Sequence, residues 1–287
     1  TYKITLKNDK ETRLVTAIST GGGMIEVIQI DGANVSMNGD FFQTLIYCKS
    51  TEKIIQAIEN SFEYDYLTCH KGNYCFVELK ADQFISLVLE AELTKMDEVL
   101  CIKKMKPVLP VMSRKNLKVP FITCREMLSY NQGKSLELWQ LALAYESVRG
   151  AITEVEVFEK MRTVLKTMQH AIETGLKGTK YLDRILGPQS LTFQERMDGK
   201  KLVKGDILNT VILYTSTTME VKSAMGVIVA APTAGSCGTL PGAIIGVGSQ
   251  LGLTDDELVK ALLAAGLIGV FIAGTNSLHQ FFVSHFV

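Results

Sequence analysis

The chain has little of several things that would narrow its function quickly. It has no excess of either charge: 30 Lys+Arg balance 30 Asp+Glu in 287 residues. A nucleic-acid binder is normally basic, so that class is set aside. Histidine is scarce, at four, which limits metal sites and triads. The six cysteines are irregularly spaced, and no N-terminal stretch has the basic-then-apolar pattern of a secretion signal. A disulfide scaffold is therefore not expected, and a cytoplasmic setting is. Two long stretches, 223–254 and 261–287, lack Asp, Glu, Lys and Arg altogether. The first is broken by Pro232, Pro241 and glycines. The second is strongly apolar only over 261–274, short of a membrane span. Both read as buried parts of a folded protein.

What is present falls into three segments. To about residue 40 the pattern is that of strands, with "LVTAIST" and "MIEVIQI" flanking Gly21-Gly22-Gly23 as a hairpin. A phosphate-binding loop would need a helix after the glycines, and a strand follows instead. From about 43 to 111 the order is strand, helix, strand, strand, helix, strand. Ser50 is placed as the cap of the first helix, whose apolar face is Ile54, Ile55, Ile58 and Phe62. Lys71-Gly72-Asn73 forms a hairpin turn. Asp82 starts the second helix, with Phe84, Ile85, Val88 and Leu89 inward, and Pro107 and Pro110 mark a linker. This is a split βαβ arrangement, ferredoxin-like in kind, and it resembles an ACT domain, a module that often senses small amino acids. From about 119 onward the chain reads as helices. Thr153 with Glu156, and Thr254 with Glu257, have capping-box spacing. Gly175 is expected to stop one helix and Asp206 to cap another. The expected fold class is α+β.

The chemistry-bearing residues are few. Cys69, His70 and Cys75 lie close in sequence, but a fourth zinc ligand is not apparent. Cys237 in "AAPTAGSCGTLPGA", 230–243, has no recognisable base to make it a nucleophile. No lysine within that loop suggests pyridoxal phosphate; Lys222 precedes it. Gly235, Gly238 and Gly242 allow close backbone approach, Thr233, Ser236 and Thr239 supply hydroxyls, and a helix begins at "PGAIIGVG". Two readings fit this pattern equally. One is a turn that binds a carboxylate at a helix N-terminus. The other is a tight helix crossing where only small residues fit.

"SAMGVIVAAPTAGSCGTLPGAIIGVG" (223–248) and "LGLTDDELVKALLAAGLIGVFIA" (251–273) resemble the catalytic domain of bacterial iron–sulfur L-serine dehydratases. "FITCREMLSYNQGKSLELWQLALAYE", "VFEKMRTVLKTMQHAIETGLKG" and "KGDILNTVILYTSTTMEVKSAMG" resemble its earlier helices, in the family's order. "AISTGGGMIEVIQIDG" and the ACT-like segment resemble its regulatory domain. The resemblance covers about 1 to 273. It implies residues 1–42 as the final strands of the regulatory domain, 43–111 as an ACT-like domain, and 112–287 as an all-helical, incomplete catalytic domain with an atypical tail, 274–287. It implies conversion of L-serine to pyruvate and ammonia, with a [4Fe–4S] cluster as Lewis acid on the hydroxyl and a base at Cα. Carried over by position, Thr233, Gly235, Ser236, Cys237, Gly238, Ser190 and Thr192 lie beside the substrate, the last two in a polar loop, "GPQSLT". Lys222 is the base or a carboxylate partner. None of the six cysteines matches a family cluster ligand. The expectation is thus a chain that does not hold the cluster alone, needing a missing catalytic fragment or self-association through apolar helix faces around 258–273. The alternative is a non-catalytic amino-acid-sensing or subunit-pairing protein built on the ACT-like part.

Overall fold

Alternation of apolar and polar residues sets the first part of the molecule. In a computed structural model, which describes residues 1–9, 11–21, 24–107, 118–181, 187–231 and 234–275, the chain divides into two compact units, Thr1–Lys118 and Val119–Val287. The first unit opens with an antiparallel meander of β1 (Tyr2–Lys7), β2 (Thr12–Gly21), β3 (Met24–Ile30) and β4 (Ala33–Met37), paired in that order. The expected hairpin is there, β2 pairing β3 with two register shifts, although Gly22 and Gly23 lie outside the described residues. Asp31 and Gly32 join β3 to β4 with φ of 49° and 85°, the left-handed pair that a two-residue hairpin turn requires. The buried Asp31 carboxylate accepts from Leu14 N at 2.8 Å and from Arg13 at 2.9 Å.

The second sheet contains β5 (Phe42–Cys48), β6 (Tyr66–Lys71), β7 (Cys75–Ala81) and β8 (Val99–Met105) in the order β6-β7-β5-β8, every neighbour antiparallel. With α1 (Glu52–Ser61) and α2 (Leu87–Thr94) between strands, this is the split βαβ order read from the sequence. One face buries Ile46, Val77 and Leu79 against Ile54 and Ile58 of α1 and Leu89 and Leu93 of α2. The other packs Leu45, Tyr47 and Phe76 against Ala33, Val35 and Met37. Several helix details differ from expectation. Thr51, not Ser50, is the N-cap of α1. Helix α2 begins after Ser86, whose hydroxyl accepts from Leu89 N, and not at Asp82. Val88 is therefore rotated outward and is 80% exposed. Pro110 lies outside the described residues.

The second unit is helical: α3 (Cys124–Asn131), α4 (Leu138–Gly150), α5 (Glu154–Leu176), α6 (Ser190–Asp198), α7 (Asp206–Ser223), α8 (Thr239–Leu251) and α9 (Asp255–Thr275). The two expected capping boxes form, Thr153 with Glu156 and Thr254 with Glu257, and Thr123 with Glu126 forms another. Helix α7 is capped by Gly205, with Asp206 inside its first turn. Gly175 does not stop α5. It sits inside the helix, and a Cβ there would strike the Thr217 methyl and stand 2.8 Å from the Thr217 carbonyl. The glycine is a crossing point between α5 and α7. Along α9 Leu258, Val259, Leu262, Leu263, Leu267 and Val270 are buried, leaving Ile268 and Ile272 outward. The apolar face expected to be exposed over 258–273 is thus mostly covered within the unit. No helix among the described residues is long and apolar enough to cross a membrane.

Candidate functional site at the end of helix α7

The C-terminal end of α7 gathers the polar residues that the sequence singled out. Helix α7 has threonines on its buried side, and two of them, Thr210 and Thr218, donate back to the carbonyls of Asp206 and Tyr214. The hydroxyl of Thr217, fully buried, has no partner among the described residues. The last turn carries Glu220 and Lys222, the final charges before the long uncharged run.

Glu220 was not among the expected site residues, yet it holds the site's firmest contacts. One carboxylate oxygen accepts from Gln189 N at 2.6 Å and Ser190 N at 3.0 Å. The other accepts from Ser190 Oγ at 2.6 Å. The charge meets free N–H groups at the start of α6, where a helix favours an anion. The signal available in the sequence was its place as the last acid before residues 223–254, next to the lysine already selected. Ser190 is fully buried by this arrangement. Ser190 and Thr192 lie in the first turn of α6, where a polar loop was expected, and Thr192 is turned to solvent.

The loop following α7 returns to the helix that precedes it. A short 3-10 turn over Ala234–Ser236 leads into α8. Cys237 is fully buried, its sulfur 3.7 Å from the sulfur of Met219. Burial raises its thiol above the ordinary range, opposed by the charge of Lys222. The thiol is held protonated and is a poor nucleophile. Ser236 Oγ donates to Ala231 O at 3.4 Å, and Gly235 is exposed. Thr233 and Pro232 lie outside the described residues.

The glycines at 238, 242 and 246 recur every four residues, along one face of α8. A Cβ on Gly238 would stand 2.5 Å from the Thr215 carbonyl. On Gly242 it would strike the Thr215 hydroxyl and approach its backbone N to 2.9 Å, and on Gly246 it would meet Val211 Cα at 3.1 Å. Their close approach is thus to α7 itself. Of the two readings the sequence left open, the packed crossing accounts for Gly238 and Gly242. Ser190, Lys222 and Cys237 are brought to one end of α7; Thr192 is not.

Cluster-binding chemistry requires several thiolates in one place. Four of the six cysteines, Cys48, Cys69, Cys75 and Cys101, belong to the first unit. Cys124 is exposed in the first turn of α3, and Cys237 is buried beside a thioether. No three His, Cys, Asp or Glu side chains among the described residues could share a metal ion. The donor set among the described residues does not fit an iron–sulfur cluster. Nor does the Cys69, His70, Cys75 group serve zinc. His70 points to the opposite sheet face from Cys69, where its Nε2 lies 2.7 Å from Glu78 and its ring stacks on Phe76.

The family model described as "Serine dehydratase alpha chain" matches residues 133–278. The chain is 27% identical over 158 residues to a protein of Bacillus subtilis (strain 168) named "Probable L-serine dehydratase, alpha chain", covering 55% of this chain and 53% of that one. It is 28% identical over 152 residues to "L-serine dehydratase, alpha chain" of Peptoniphilus asaccharolyticus, covering 52% of each. Over 68 residues it is 40% identical to "Probable L-serine dehydratase, alpha chain" of Latilactobacillus sakei, 24% of this chain and 32% of that one. It spans about half the length of the first two. With that match covering half of its residues, the chain belongs to the serine dehydratase alpha chain family.

Proposed function

We propose that this chain is part of an L-serine dehydratase, a lyase that eliminates water from L-serine to give pyruvate and ammonia. The observation that carries the reading is the end of α7. Within the segment matched by the family model, the Glu220–Ser190 pair and the Lys222–Cys237 pair lie at the same end of α7. Elimination needs a group to orient the amino acid, a base for the Cα proton and an electrophile for the departing hydroxyl. In this reading Thr233, Gly235, Ser236, Cys237 and Gly238 border the substrate with Ser190, Thr192 stands outside on the solvent side of its turn, and Lys222 takes the Cα proton or pairs with the carboxylate. Glu220 holds Ser190 and the first turn of α6 in position. Among the described residues no three His, Cys, Asp or Glu side chains are placed to share a metal ion, so the electrophile has no holder among them. The isolated chain accordingly does not turn over serine.

Residues 1–42 are assigned to a regulatory domain, 43–111 to an ACT-like module and 112–287 to the catalytic domain, in a cytoplasmic enzyme. The β6-β7-β5-β8 order with both helices on one face supports the middle assignment. Anaerobic reconstitution with iron and sulfide, followed by iron analysis and visible absorbance, tests the reading of the thiols. No stoichiometric cluster and no pyruvate are expected; a full cluster with serine turnover would overturn it. Thermal shift with L-serine tests the site. Stabilisation that is lost in Lys222→Met is expected, and an identical melting temperature with and without serine counts against the site.

A further inference from the structure

Three of the cysteines stand on the helix-facing side of the second sheet. Strands β5 and β7 run antiparallel with Tyr47 opposite Phe76, so the next facing pair is Cys48, the last residue of β5, and Cys75, the first of β7. Facing residues in an antiparallel pair have Cα atoms about 4.5–5.5 Å apart, inside the span of about 4.4–6.8 Å that a disulfide bridges. Both side chains belong to the same apolar cluster. Cys69 faces Val77 on β6 and is diagonal to Cys75, farther than a direct pair. Cys101 faces Tyr47 and projects from the other side of the sheet. Cys48 is buried, Cys75 half-buried and Cys69 exposed. The Cys48 thiol is pushed up to about 12, first by burial and then by the Cys75 and Cys69 thiols beside it.

We propose that Cys48 and Cys75 form a reversible cross-strand disulfide, made by a low-molecular-weight disulfide as oxidant. The more accessible Cys75 reacts first. Its thiolate attacks one sulfur of the oxidant RSSR, releases RS⁻ and leaves Cys75 as a mixed disulfide. The Cys48 sulfur then attacks the Cys75 sulfur, the Cys48 proton passes to the departing RS⁻, and the second RSH leaves. Two protein thiols are oxidised and one RSSR is reduced to two RSH. The protonated Cys48 makes the second step the slow one. Loss of the negative Cys75 thiolate in the first step removes one of the influences that hold the Cys48 proton.

The bond would be felt across the sheet. Tyr47 and Tyr74, the neighbours of the two cysteines, project to the opposite face and clasp the Arg13 guanidinium at 4.9 and 4.0 Å. Beyond Tyr74, Asn73 N donates to Asp31 O at 2.8 Å, and Gly72 leaves no room for a Cβ against Asp31 and Ala33. A shift at Cys75 therefore reaches the joint between the two sheets of this unit.

Trypsin separates the three thiols, because Cys48, Cys69 and Cys75 fall in the peptides 14–49, 54–71 and 72–80. The folded, reduced full chain is incubated with excess oxidised glutathione, alkylated, and mapped without reduction. A linked 14–49/72–80 pair is expected in monomeric protein, reversed by dithiothreitol. It is retained in Cys69→Ser and absent in Cys75→Ser. The proposal is overturned if Cys48 and Cys75 are alkylated separately, if Cys75 is found joined to Cys69, or if the link occurs only between two chains. The wild-type map alone decides this, so poor folding of a variant does not shield the proposal.

Discussion

The two units bring their polar residues together by different means. In the first, strand pairing joins partners from different strands: Arg13 with Asp31, and Gln43 and His70 with Glu78. Each carboxylate is buried and satisfied within the sheet layers. In the second, the polar contacts are mostly short-range and lie at helix ends, as in the capping boxes of α3, α5 and α9, while helices meet through glycine. The difference is between a unit whose chemistry depends on register and one whose chemistry depends on approach distance. It predicts different failures when each is disturbed.

The largest effect is expected at Asp31. Replacing it by Ala leaves the Leu14 N–H without its acceptor, takes from Arg13 its buried carboxylate partner while Glu11 remains, and puts a β-carbon residue without a hydrogen-bonding side chain at φ 49°. Loss of such a partner costs about 3 kcal/mol, less than for a fully buried pair because Arg13 is partly exposed. Asp31→Asn keeps one acceptor and tolerates the left-handed backbone, so its loss should be about half as large. Urea denaturation followed by circular dichroism measures both. Equal effects from Ala and Asn would mean that the charge and the turn geometry do not matter there.

A smaller loss is expected at the helix crossing. Gly242→Ala forces a methyl into Thr215 and should cost about 2 kcal/mol. Gly187→Ala is the control, since nothing lies within 4 Å of a Cβ at that position. If Gly242→Ala is as stable as Gly187→Ala by urea midpoint, the glycine face is not there for packing. The carboxylate-binding reading of the turn would then regain ground.

The same contrast explains what could be read from the residues alone. Element order was legible because period-2 and period-3.6 patterns are local, and the capping boxes because both partners lie within four residues. Misplacements came where two similar residues compete for one role, as with Ser50 and Thr51, or Asp82 and Ser86. Gly175 was read by its chain-ending habit, when the deciding fact is a neighbouring helix. Glu220 was missed because its partners, Gln189 and Ser190, are about thirty residues away, and no periodicity reports a contact between a helix end and another helix's first turn.

The finest test sets two glutamates of the second unit against each other. Glu156 caps α5, and hydrogen bonds from Thr153 N and its hydroxyl lower its pKa. The stability it contributes is therefore present above its unfolded value near 4.3 and is lost as pH falls through the lower folded value. Glu146 on α4 is buried; desolvation raises its pKa despite Arg149 at 2.5 Å. Its sign is opposite: the folded protein holds that proton more tightly, so the benefit is full below the unfolded value and is lost as pH rises through the folded one. Melting temperatures measured from acid to neutral pH should separate them. Relative to wild type, Glu146→Gln should gain as pH rises, because glutamine never carries the charge that burial penalises. Glu156→Gln should lose over the same rise, because the neutral amide forgoes a capping carboxylate. If both variants move in the same direction, the Arg149 partnership outweighs the burial of Glu146.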